Sequence, residues 1–209
     1  MKIAIIAAMD KEVKLMQSLA SENISVFKSG IGKVAAAVTT ARIISNHCPD
    51  LIINSGVAGG LDNSLNIGDA VCGSEICYHD VWCGEPNAYG QVQGFPLCYK
   101  SAENITALLD AKIKKGLIIS GDKFITAADE LAHLKQKFPQ ALAVDMESAA
   151  IAQTAFMLKT PFISLRLISD TPGVKHHQEQ YENFWCNAAE TSFNTLKALL
   201  NNINRLNED

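Results

Sequence analysis

Apolar residues in this chain of 209 fall into short runs separated by amphipathic stretches. KIAIIAA, at 2–8, is unbroken apolar sequence, the pattern of a strand covered on both faces. Residues 10–20 read as a helix opened by Asp10, and NISVF at 23–27 as a short second strand. KVAAAVTTARIISNH, at 33–47, is an alanine-rich helix stopped by Pro49. LIINSGVAGG (51–60) is a buried strand running into glycines, and GDAVCGSEICYH (68–79) reads as a strand pair. Residues 80–96, with Gly84, Pro86, Gly90, Gly94 and Pro96, predict an irregular loop. The pattern then predicts a helix over 101–112, a strand in GLIISGD (116–122), a helix near 127–137 and a brief strand in ALAVD (141–145). A helix over MESAAIAQTAFML (146–158), a strand in FISLRLISD (162–170) and a long helix near 178–203 complete it.

Strands alternating with helices predict an α/β fold with a mostly parallel sheet covered by helices on both faces. Ligands of such sheets gather at the carboxyl ends of the strands. No repeat, low-complexity tract or linker interrupts the pattern, so residues 1–209 are expected to form a single domain. A formal charge of -4 argues against nucleic acid or an anionic membrane as the main partner. The first apolar run breaks at Asp10, Lys11 and Glu12, and no segment approaches membrane-spanning length. Six cysteines show neither a C-x-x-C pair nor zinc spacing, which fits reduced thiols in the cytoplasm.

FKSGIGKVAAA, at 27–37, resembles a phosphate-gripping loop, and Gly30, Gly32 and Ala35 satisfy G-x-G-x-x-A. A dinucleotide fingerprint, however, follows the first strand and needs an acid at the end of the second. Asp50, the acid at the right distance, precedes its strand instead. The nucleotide P-loop also fails, because Val34 stands where a magnesium-binding Ser or Thr belongs. The stretch therefore reads as a tight strand-to-helix turn lining a ligand pocket, with N–H groups at the helix start open to a polar ligand.

Polar residues recur where strands end. Glu12 follows the first strand, and Asp122 and Phe124 follow a middle one. Asp145, Met146 and Glu147 sit at a strand-to-helix junction, and Asp170 ends a strand that holds Arg166 in its interior. In a parallel sheet these ends share one rim, so the acids and the arginine are expected to converge on one cleft. A buried Arg166 also demands a partner.

MKIAIIAAMDKEV, KSGIGKVAAA, IINSGVAGGL, GLIISGDKFI, AVDMESAAIA and RLISD occur in the order seen in 5′-methylthioadenosine/S-adenosylhomocysteine nucleosidases. The chain resembles that family, part of the purine nucleoside phosphorylase superfamily, over nearly its whole length. The resemblance implies a three-layer α/β/α sandwich around a mixed, mostly parallel sheet, and a homodimer. It implies hydrolysis of the N-ribosidic bond of 5′-thio-substituted adenosines, with water as co-substrate and no metal or cofactor.

Residue roles follow from the same resemblance. Asp170 matches the general acid toward adenine, and Glu12 the residue that activates water, with Arg166 beside it. Glu147 would bind the ribose hydroxyls and Met146 would pack on the sugar. Phe124 would stack on adenine while the backbone of Ile125 reads its edge. Ala58 and Gly59 would close on the ligand, Ile31 and Met9 would line the 5′ pocket, and Tyr181 would cover it. Departures are Val57, where the family carries serine, a compressed segment before NISVF, and loop 80–96 with Trp82 and Glu85, which could reshape the pocket. His176 and His177 read as solvent-exposed. A phosphorylase would need arginine and serine donors where this chain has Asn54 and Val57, which favours hydrolysis. A phosphorylase, a futalosine-type hydrolase and a non-catalytic nucleoside-binding module stay open as alternatives.

Overall fold

The computed structural model describes residues 1–173, 176–187 and 189–206, with the side chains of 177, 178, 186, 187 and 189–193 left out. The order begins β1 (Ile3–Ala7), α1 (Asp10–Met16), β2 (Ile24–Lys28), α2 (Lys33–His47) and β3 (Leu51–Gly60). It continues β4 (Ala70–Tyr78), β5 (Tyr99–Lys100), α3 (Glu103–Thr106), β6 (Lys114–Ser120), α4 (Ala128–Lys137) and β7 (Ala141–Asp145). It ends with α5 (Ser148–Met157), β8 (Phe162–Asp170), α6 (His177–Asn187) and α7 (Ala189–Leu206).

β1 is buried at every position, and its side chains alternate between the two faces of an eight-stranded sheet. Ala4 and Ile6 join a cluster with Ala36 and Ile43 of α2 and the alanines of α5. Ile3 and Ile5 join Met16 of α1, Ile105 of α3 and Leu196, Leu199, Leu200 and Ile203 of α7 on the other side. The result is a three-layer α/β/α arrangement. The small side chains of α5 let that helix lie close to the sheet.

The sheet is mixed. β1 pairs in parallel with β2 and β3, β3 with β8, β4 with β6, and β6 with β7. β4 runs antiparallel to β5 and β8, and β7 turns antiparallel onto Gly59 and Gly60 of β3. The pairings β3–β8–β4–β6–β7–β3 return on themselves, so part of the sheet closes into a ring. At Ala58/Gly59 the β3–β8 register slips, which frees the end of β3 to reach β7.

Several expectations change. GDAVCGSEICYH forms one strand, β4, with a register shift against β6 between Gly73 and Glu75 that the sequence mimics as a break. The helix expected over 101–112 is helical only at Glu103–Thr106. After it the chain closes i→i+3 bonds, and Asp110 Oδ1 accepts from the Lys112 N–H at 2.8 Å, a local turn that competes with helix. The helix near 178–203 is two helices, α6 and α7. β5 is too short to leave a periodic signal. The helix expected over 10–20 is α1 followed by a 3₁₀ turn, Gln17–Leu19, and a tight return into β2. No helix among the described residues is long and apolar enough to cross a membrane.

Ile163 of β8 has no exposed surface and lies between β3 and β4. Ile163→Ala is expected to destabilise the fold by about 2–5 kcal/mol, read as a lower urea midpoint at unchanged slope.

Candidate active site

Glu12 lies one turn into α1, and its carboxylate bends back over the start of the helix. Its Oε2 accepts from the N–H groups of Ala8 and Met9, both at 2.9 Å, and its Oε1 accepts from that of Val57 at 3.0 Å. The bond from Met9, the N-cap of α1, satisfies a donor that a helix start leaves open. The bond from Val57 ties α1 to β3. Burial pushes the Glu12 carboxyl above its ordinary value, while Arg166 and these N–H groups pull it part of the way back.

Arg166 is 1% exposed in the middle of β8, a strand buried at all nine positions. Asp145, at the end of β7, forms an ion pair with its Nη2, and Glu147 Oε2 stands 3.9 Å away. The Ser148 hydroxyl accepts from Nε at 3.2 Å and Nη2 at 3.1 Å, and it donates to Asp145 Oδ2 at 2.5 Å. Gly56 is what lets this group meet Glu12. A methyl group there would sit 2.5 Å from both Arg166 Nη1 and Glu12 Oε1. The sequence leaves Gly56 looking like any other strand glycine.

Glu147 occupies the N-cap position of α5 without capping it through its side chain, and its Oε1 accepts from the Gly32 N–H at 3.0 Å. Burial, and then the charge of Asp145, pushes its carboxyl up to about 7. Asp170 ends β8 at 2% exposure, and its Oδ1 accepts from the Ser169 hydroxyl at 2.7 Å.

Glu12, Glu147 and Asp170 all line one cleft of about 680 Å³, measured out to its open mouth. Met146 lines it, as do Ala58 and Gly59 from the end of β3. Phe124 and Ile125, from the loop after β6, line it too, as do Met9 and Ile31. Tyr181 of α6 also faces the cleft, its ring edge-on to Phe124 at 6.0 Å and its hydroxyl 3.5 Å from the Met9 sulfur. Arg166 is not among the lining residues and meets the cleft through Asp145 and Glu147, which are.

Some expectations move. Gly30 and Gly32 take the positive φ values expected of a tight turn, 83° and 89°. Two of the N–H groups at the start of α2 are already engaged, because Gly32 donates to Glu147 and Lys33 to Asp122 at 2.7 Å. Asp122 therefore stands outside the cleft. Trp82 and Glu85 are also absent from its lining, and Trp82 stacks on Tyr89 instead. His176 is exposed and pairs with Glu179, whereas the side chain of His177 is outside the described residues. Ser148, Ser169 and Pro172 escaped the sequence reading, because serine and proline near a strand end carry no distinctive pattern. Among the described residues, no cluster of three His, Cys, Asp or Glu side chains is arranged to hold a metal.

A half-closed mixed sheet whose acidic strand ends meet over one cleft defines a class of enzyme scaffold. The phosphorylase superfamily model matches residues 15–201. More narrowly, the chain belongs to the 5′-methylthioadenosine/S-adenosylhomocysteine nucleosidase family. It is 35% identical to a nucleosidase of that description from Anoxybacillus flavithermus, covering 98% of this chain and 100% of the relative. The alignment spans 233 positions, so the relative carries residues that this chain lacks. The nucleosidase of Colwellia psychrerythraea in complex with adenine has TM-score 0.90 at 34% identity, over 97% of this chain and 95% of that one. The Streptococcus pneumoniae nucleosidase with a transition-state inhibitor, MT-ImmA, has TM-score 0.91 at 30% identity, over 97% and 100%.

The raised carboxyl of Glu147 has a consequence for stability. Between its ordinary value of 4.5 and about 7 the folded chain holds a proton that the unfolded chain has released. Stability from this group is full below that window and is lost as pH rises through it. The melting temperature of wild type, compared with that of Glu147→Gln, is expected to fall as pH rises across the window. A constant difference would remove the assignment.

Proposed function

We propose that the protein hydrolyses the N-ribosidic bond of 5′-methylthioadenosine, S-adenosylhomocysteine and related 5′-substituted adenosines, releasing adenine. The observation that carries this reading is the meeting of Glu12, Glu147 and Asp170 on one cleft, in a chain of this family. As the C–N bond breaks, its electrons move to the purine and the sugar becomes cationic. Asp170 gives its proton to the imidazole nitrogen of adenine, with Ser169 holding its Oδ1. Water adds to the anomeric carbon and gives a proton to Glu12, whose three N–H bonds fix its orientation. That proton returns to Asp170 through solvent. The carboxylates also favour the positive sugar over the neutral substrate.

Glu147 binds the ribose hydroxyls, and Met146 lends a polarizable surface to the sugar. Phe124 and Ile125 hold adenine, Ala58 and Gly59 close beneath it, and Ile31, Met9 and Tyr181 enclose the 5′ group. Hydrolysis is favoured over phosphorolysis because the two positions expected to carry phosphate donors cannot serve. Asn54 is buried and donates to Ser148 at 2.9 Å, and Val57 is apolar. In this reading the chain is a single nucleoside phosphorylase-like domain that acts in methionine salvage in the cytoplasm.

Adenine release from methylthioadenosine is expected to proceed without phosphate and to be lost, by at least about a hundredfold, in Asp170→Asn. Strict phosphate dependence would make it a phosphorylase, and full activity of Asp170→Asn would remove the general-acid role.

The chain also works as a homodimer in this reading. Ile31, Val34 and Val38 are 58%, 74% and 53% exposed, and Val34 and Val38 share one face of α2. Because Ile31 also lines the cleft, a second copy seated there would border the 5′ pocket. Light scattering is expected to give a dimer for wild type and a monomer for Val34→Glu. A monomeric wild type would reject the dimer.

A further inference from the structure

The loop that presents Gly32 to Glu147 is held from outside the cleft. Asp122, after β6, accepts from the Lys33 N–H with Oδ1 at 2.7 Å. Asp80, after β4, accepts from the Asp122 N–H at 2.9 Å and from Lys33 Nζ at 2.8 Å, both with Oδ2. Lys33 thus bridges two acids that would otherwise repel, and three loops from separate parts of the chain are joined. Two glycines make the approach possible. A Cβ on Gly32 would lie 2.9 Å from Asp122 Oδ1, and one on Gly121 would lie 2.7 Å from the Asp80 carboxyl carbon. Neither aspartate lines the cleft. Their route to it is the Gly32 N–H, one residue from the Lys33 N–H, which holds Glu147 Oε1 at 3.0 Å.

We propose that Asp80 and Asp122 are positioning residues that hold the 30–33 loop against Glu147 and thereby set affinity for the ribose half of the substrate. This rests on the reading of Glu147 as the ribose ligand. Without the anchor, the positive-φ turn relaxes and the carboxylate loses the donor that aims it.

Binding of adenine, which lacks ribose, and of 5′-methylthiotubercidin, a nucleoside with carbon in place of the ring nitrogen that Asp170 would protonate, separates the possibilities. Asp122→Ala and Asp80→Ala are each expected to weaken the nucleoside by about tenfold and adenine by less than about twofold. Asp122→Asn keeps an acceptor for the Lys33 N–H and is expected to restore nucleoside affinity. Glu147→Ala is expected to show the same selective loss, and adding Asp122→Ala to it to produce no further loss. Equal weakening of both ligands, or none, in the aspartate variants overturns the proposal while a selective loss in Glu147→Ala leaves the ribose reading standing. No selective loss in Glu147→Ala overturns the ribose reading, and this proposal with it.

Discussion

A guanidinium buried in the centre of β8 is the constraint around which the site is arranged. A lone charge at that depth is costly, and Arg166 is accommodated only because other elements bring counter-charges and acceptors to it. Asp145 comes from the end of β7, and Ser148 and Glu147 come from the start of α5. None of these belongs to a strand that neighbours β8. Satisfying the arginine therefore requires the ring of strands to close, and closing it gathers the acidic strand ends.

Backbone proximity makes the gathering possible. At Gly56 the strand β3 passes so near to Arg166 and Glu12 that no side chain fits between them. A few residues on, the slip at Ala58/Gly59 lets β3 leave β8, and Gly59 packs where a Cβ would meet Pro172 at 2.6 Å. The β3 side of the cleft thus presents Ala58 and Gly59, small residues that leave room for a ligand beside the flanking carboxylates. Those carboxylates sit in a poorly solvated space, so burial raises Glu12 and Glu147 while Arg166 restrains both. Such a site is well placed to answer positive charge developing on a bound sugar.

Much of this was legible in the residues. The apolar run of β1 read as a strand buried on both faces, the mainly apolar run around Arg166 read as the strand β8, and the alanine-rich stretches read as helices. Acids at successive strand ends pointed to a common rim, and the cleft is lined by Glu12, Glu147 and Asp170 as that pattern implied. Asp122 breaks the pattern, because its carboxylate turns to the Lys33 N–H instead of the cleft. The bulge in β4 and the early end of α3 were hidden, since both arise from hydrogen bonds to partners distant or competing with the local period.

The sequence by itself determined the strand and helix alternation, the need of Arg166 for partners, and the concentration of acids at strand ends, because these follow from burial pattern and residue chemistry. Tertiary structure alone decided which acid serves Arg166, which glycine admits Glu12, and which N–H groups remain for a ligand. Those outcomes depend on approaches of a few ångströms between segments far apart in the chain, and periodicity along one segment carries no information about its distance from another.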